Sequence, residues 1–262
     1  MSKHSEKKNP NGEMSLSGHL RELRNRALVC VVVFVAAALI GLNYSKDLVD
    51  LFLQLGAACN YQFVYTSPQE LMLQYFFVSL VLGLCVMLPV LLYQIWAFVS
   101  PGLTKKENML FMLTLIFGTI CFVIGILFAY KIMLPFMLVF LDSVSEGTGI
   151  DAYISVQKYL SFVLMVLVVF GAVFELPVVS VLLNRLGFLK VSWMKKGRRV
   201  VIVVIFVIAA LITPPDIVSQ VMIALPMILL YEVSILVCSV FAKLFGEPGR
   251  KQESEDEDEE EA

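Results

Sequence analysis

Long apolar runs punctuate this chain, and no other feature restricts its fold as much. Six segments carry almost no charge: Ala27–Leu42, Leu71–Val99, Met109–Tyr130, Tyr159–Leu183, Val200–Ile212 and Ile217–Ala242. In hydrocarbon there is no water to satisfy a backbone N–H or C=O, so an apolar run of about 20 residues becomes a helix that bonds within itself. The expected fold is therefore all-α: an integral membrane protein of six transmembrane helices. Hydrophobic residues make up 59% of the chain and charged ones 16%, against about 45–50% and about 25% in soluble globular domains. The fifth run holds only 13 residues, or about 20 Å of helix, short of a hydrocarbon core of about 30 Å. It turns through Thr213-Pro214-Pro215-Asp216 directly into the sixth. A stunted hairpin of short helices five and six is the expectation.

Orientation follows from the lysines and arginines. Of the 20 in the chain, 17 fall in the two termini and in the loops after the second and fourth runs, and only Lys46, Lys131 and Lys158 fall on the other side. Basic loops stay in the cytoplasm, so both termini are expected there, with loops 43–70, 131–158 and 213–216 outward. Residues 1–245 read as one six-span membrane domain, opened by an amphipathic cytoplasmic segment over 15–26 with Leu16, Leu20 and Leu23 at helical spacing. Residues 246–262 read as a disordered acidic cytoplasmic tail: from Gln252 onward it holds eight acidic groups and no base. The five cysteines form no CxxC pair and the two histidines lie near the N-terminus. No metal site, no cofactor and no nucleic-acid surface is expected. No nucleotide-binding or hydrolase motif occurs, so the chain is not read as an enzyme.

The informative residues are polar groups in awkward places. Glu22 is a lone acid among Arg21, Arg24 and Arg26. It can pair with Arg26 one turn on, or receive a guanidinium from elsewhere. Glu107 stands three residues after Thr104, the spacing of a capping box that would open the third span. It falls on the same membrane side as Glu22. Two carboxylates on a basic face suit two arginine forks better than two lysines. Glu175, in Phe174-Glu175-Leu176-Pro177, lies ten residues from Arg185 and so about 15 Å into the membrane. A buried acid there costs about 2.5–3.5 kcal/mol by insertion scales and marks a functional site. Pro89, Pro177 and Pro226 bend their helices into a curved wall. At the hairpin tip Thr213, Asp216 and Gln220 cluster; Asp216 suits an N-cap, and Gln220 with Glu175 suits a polar patch inside the membrane. Glu232 reads as interfacial, with Tyr231 as an aromatic anchor.

These residues recur in ordered motifs: His19-Leu20-x-Glu22-Leu23-Arg24-x-Arg26, Pro89 through Phe98, Pro101-Gly-Leu-x-x-x-Glu107, Tyr159-Leu-Ser-Phe162, Phe174-Glu175-x-Pro177 and Thr213-Pro214-Pro215-Asp216-x-x-Ser219-Gln220. In them the chain resembles the TatC family, the multi-span receptor component of twin-arginine translocases, over residues 19 to about 235. The resemblance implies a curved, glove-like bundle in the bacterial inner membrane. It implies a receptor core whose Glu22 and Glu107 bind the paired arginines of signal peptides on folded cargo, with Arg24 and Phe98 nearby. Glu175, Thr213, Asp216 and Gln220 would meet single-span partner subunits, in an oligomer driven by the proton-motive force. The sequence departs from the family in its outward part, where Phe77 stands in place of a common lysine. An alternative from the residues alone is a proton- or ion-coupled small-solute transporter titrating at Glu175.

Overall fold

A computed structural model describes residues 16–99, 105–145, 153–213 and 216–245. In chain order the elements are α1 (Leu16–Gly41), α2 (Ser45–Ala57), β1 (Gln62–Val64), α3 (Glu70–Val99), α4 (Lys105–Phe128), a π-helical turn (Ala129–Met133), α5 (Leu134–Ser145), β2 (Tyr153–Ser155), α6 (Val156–Phe174), α7 (Leu176–Arg185), α8 (Val191–Ile212) and α9 (Ile217–Phe245). The six apolar runs therefore appear as α1, α3, α4–α5, α6–α7, α8 and α9.

Five of these six are long and apolar enough to cross a membrane by length and composition. The exception is α8. The expected 13-residue run proves to be the second half of a 22-residue helix, whose first half carries Lys195, Lys196, Arg198 and Arg199. Only its apolar part is stunted, because α-helical hydrogen bonding continues through the basic stretch. The sixth helix, expected to be short, runs 29 residues. The third span also differs. Expected to end at Tyr130, it continues through the π turn and α5 to Ser145. Pro135 has no N–H to offer a helical carbonyl, and a wider turn just before it takes up the mismatch. Lys131, expected in a loop, thus stands on a helix with its ammonium 5.3 Å from the Tyr130 ring centroid.

The core is built around α6. Val156, Tyr159, Leu160, Val163, Val166, Leu167, Phe170 and Val173 of this helix are all buried. The helix as a whole contacts α2, α3, α4, α8 and α9. By contrast α1 packs along α3 and leaves Leu28, Val31, Val32, Val35, Leu39 and Ile40 exposed. Without a hydrophobic drive between helices in lipid, close backbone approach supplies the attraction. Gly83 of α3 permits it: a Cβ there would lie 3.0 Å from the Ala38 nitrogen and the Phe34 carbonyl of α1. At the other end of the row α7 packs on α9 and α9 on α8. The helices make an open, curved wall, with α1 at one edge and α8 at the other.

The 43–70 connection is structured. Its helix α2 leads into β1, which pairs in parallel with β2, Gln62 opposite Tyr153 and Val64 opposite Ser155. Tyr61 donates its O–H to the Leu138 carbonyl at 2.9 Å, and Tyr159 donates to the Phe52 carbonyl at 2.7 Å. These bonds cap the end of the bundle opposite the arginine-rich one.

Candidate functional site: a basic end, a groove acid and a hairpin tip

At the basic end, α1 is tied to α3 by one side chain. Arg26 donates Nε and Nη2 to Glu22 Oε1 at 3.0 and 2.5 Å, so the expected pair one helical turn apart is present. The same guanidinium reaches across to α3. Its Nη1 donates to Gln94 Oε1 at 3.2 Å and its Nη2 to the Ala97 carbonyl at 2.9 Å. Both Glu22 and Arg26 side chains keep about a fifth of their surface exposed, so each is reachable. Arg24 is exposed and Phe98, next to Ala97, is half-buried. Trp96 holds this end of α3 against α4, donating Nε1 to Asn108 Oδ1 at 2.8 Å, with its ring 5.3 Å from that of Tyr93. The Thr104 cap and the Glu107 side chain lie outside the described residues.

Glu175 sits where the fourth span breaks. α6 ends at Phe174 and α7 restarts at Leu176, with Pro177 in its first turn. A proline is tolerated there because a first-turn N–H has no helical partner. The break aims the carboxylate sideways at α4. A Cβ on Gly118 would lie 3.0 Å from Glu175 Oε2 and 3.0 Å from Val178. Glu175 is buried, and neither carboxylate oxygen has a hydrogen-bond partner among the described residues. It stands beside a small apolar cluster of Leu92, Leu115 and Leu182, separate from the main core.

The hairpin tip is largely occupied with its own folding. Asp216 Oδ2 accepts from the Ser219 N–H at 2.7 Å, the expected N-cap. Thr213 donates back to the Ala209 carbonyl at 3.0 Å. Gln220 donates its amide to the Phe206 carbonyl at 2.9 Å, bracing α9 on α8. The patch expected from Gln220 and Glu175 does not form as a hydrogen-bonded pair, since Gln220 is drawn to α8 and Glu175 faces α4. Tyr231, expected at the interface, is buried and donates to the Met194 carbonyl, while Glu232 pairs with Arg198 at 2.8 Å. The long α8 brings both partners within reach.

Sequence reasoning missed Glu70. The residue is 1% exposed. Oε2 accepts from the Thr66 N–H at 2.6 Å, the Thr66 hydroxyl at 3.0 Å and the Ser67 N–H at 3.3 Å; Oε1 accepts from the Ser155 hydroxyl and from the Gln157 N–H at 3.1 Å. One carboxylate thus clasps the turn before α3 to the start of α6. Thr66-Ser67 with Glu70 has capping-box spacing, the one local signal that was available.

Among the described residues no group of three or more histidine, cysteine or acidic side chains is arranged to hold a metal. The described polar groups stand apart along the membrane wall: Glu22 at the basic end, Glu175 at the break in the fourth span and Asp216 at the hairpin tip.

Known proteins narrow this to a class. The chain is similar to a crystal structure of the twin-arginine translocase receptor, with a TM-score of 0.76 at 34% identity over 85% of this chain and 98% of that one. It is 37% identical to the Sec-independent protein translocase protein TatC of Listeria innocua over 86% of this chain and 91% of the relative. It is 34% identical to the TatCy protein of Bacillus subtilis over 86% and 89%. The fold is that of a multi-pass, glove-like translocase component, not an enzyme. The family model for the Sec-independent protein translocase protein (TatC) matches residues 18–226, and the chain belongs to that family.

Proposed function

We propose that this protein is the receptor core of a twin-arginine export system. It binds the paired arginines of signal peptides on folded cargo through Glu22 and Glu107, with Arg24 and Phe98 lining the approach. The observation that carries the reading is that Glu22 already holds a guanidinium at the edge of the basic end, against the last turn of α3. A carboxylate that grips one arginine fork has the geometry to grip another. Both termini lie in the cytoplasm of a bacterial cell, and the bundle lies in the inner membrane. Glu175, at the break between α6 and α7, meets a single-span partner subunit, and the Thr213, Asp216 and Gln220 tip contributes to that contact. Transport draws on the proton-motive force in an oligomeric assembly, with no bound cofactor. The solute-transporter alternative rested on Glu175 alone, and a partner's polar group accounts for that acid equally well.

The test is binding of an arginine-pair signal peptide to the detergent-solubilised protein, wild type against Glu22→Ala and Glu107→Ala. Each loss is expected to cost about 1.5–3 kcal/mol, the scale of a hydrogen bond to a charged group. Unchanged affinity in both folded variants would return Glu22 to its pair with Arg26 and move the receptor site elsewhere.

A further inference from the structure

We propose that Arg26 is the resident occupant of the receptor carboxylate, and that a signal-peptide arginine binds Glu22 by displacing it. This rests on the peptide-binding reading of Glu22. Two of Arg26's donors, Nε at 3.0 Å and Nη2 at 2.5 Å, converge on the single oxygen Oε1. The charge of Glu22 is therefore already matched. A second guanidinium arriving while the first stays would place two like charges on one carboxylate, with Arg21 and Arg24 close by in sequence on the same helix.

Arg26 has a second seat ready. Its Nη1 and Nη2 already contact Gln94 Oε1 and the Ala97 carbonyl. These lie in the last two turns of α3, where the helix dipole favours a cation. Releasing Glu22 does not strand the guanidinium, so the exchange costs little. It does shift Arg26 wholly onto α3, so occupancy of the site is felt at the α1–α3 junction.

Displacement sets the affinity and leaves the choice of head group to the carboxylate. A resident competitor lowers the apparent affinity of every entering group by the same vacant fraction. The preference for arginine comes from the fork itself: a peptide arginine matches the carboxylate bidentately, and a lysine ammonium is a point charge that does not.

The experiment measures affinities of an arginine-pair peptide and its lysine-pair version for the full-length protein in detergent, with wild type, Arg26→Lys, Arg26→Gln and Glu22→Ala. Arg26→Lys keeps the charge and removes the fork, so it separates displacement from simple repulsion. It is expected to tighten the arginine-pair peptide about 2- to 5-fold, since an occupied site lowers apparent affinity by its vacant fraction and partly exposed pairs hold only modestly. The lysine-pair peptide should gain by the same factor, because a resident competitor lowers both affinities equally. Unchanged or weaker binding of the arginine-pair peptide by folded Arg26→Lys overturns the proposal. If Glu22→Ala binds like wild type, the receptor reading itself has failed, which is a different result. Should the Arg26 variants not fold, the Arg26 Nε–H magnetic resonance in the wild-type protein decides: it must move on saturation with peptide, and a stationary signal overturns displacement.

Discussion

Gly118 of α4 faces the carboxylate of Glu175, and a methyl group on Gly118 would stand 3.0 Å from Glu175 Oε2. The glycine is what gives the acid its place. Val178 would lie at 3.0 Å from the same methyl and Leu92 at 3.4 Å, so there is little room on any side. Gly118→Val is expected to overpack this wall at a cost of about 1–3 kcal/mol and to turn Glu175 out of position, reducing export of a reporter while the protein still inserts. Wild-type export by the valine variant would show that the carboxylate has room to move.

Glu175→Ala should abolish export without unfolding the bundle. Neither oxygen of Glu175 bonds within the described residues, so removing the acid takes away no internal partner. A reporter exported normally by the alanine variant would leave Glu175 with no role in transport.

Glu70→Ala should loosen the cap opposite the basic end. The lost carboxylate serves donors from Thr66, Ser67, Ser155 and Gln157, and no water-filled surface replaces it at 1% exposure. Proteolysis from the outward side is expected to cut within 61–70 in the alanine variant, and Glu70→Gln should be cut more slowly because its carbonyl oxygen still accepts. Equal resistance of wild type and the alanine variant would rule out the clasp.

Gln220→Leu should weaken the α8–α9 brace by about 0.6 kcal/mol, the mean measured for interhelical hydrogen bonds in a membrane. The bond lost is the one to the Phe206 carbonyl at 2.9 Å. A change well above 2 kcal/mol in the unfolding equilibrium would mean that Gln220 serves more than this brace.

Cys59 lies in the turn between α2 and β1. Burial first, and the negative charge of Asp142 second, push its thiol above the ordinary value of 9.0. The thiolate is the reacting form, so alkylation by a membrane-impermeant reagent should be slow at neutral pH and still be climbing above pH 9. It should proceed from the outward side only. A rate that levels off below pH 8 would contradict the raised thiol, and labelling from the cytoplasmic side would invert the topology.

Much of this was legible in local patterns. Period and length of the apolar runs decided the helices. Glu22 and Arg26 stand four residues apart, so their pair needs only one helical turn. Asp216 caps the residue three places on, and Pro177 marks the break beside Glu175. Most of the features that escaped depend on distant chain. Arg26 meets Gln94 and Ala97 at separations of 68 and 71 residues. Glu70 meets Ser155 and Gln157 at 85 and 87. β1 and β2 are three residues each, too short to show any period, and they exist because each supplies the other's hydrogen bonds. The π turn before Pro135 and the length of α8 were hidden too, since helical bonding ran on past the point where hydropathy stopped marking it.

The sequence by itself determined that this chain lies in a membrane, where its helices run, and which few acids stand in costly places, because insolubility of the bare backbone in lipid is a local and additive constraint. Only the tertiary structure decided what those acids face: Arg26 and the end of α3 for Glu22, Gly118 of α4 for Glu175, the start of α6 for Glu70. Such pairings follow from how the helices pack, and packing depends on close contacts between residues that no local pattern connects.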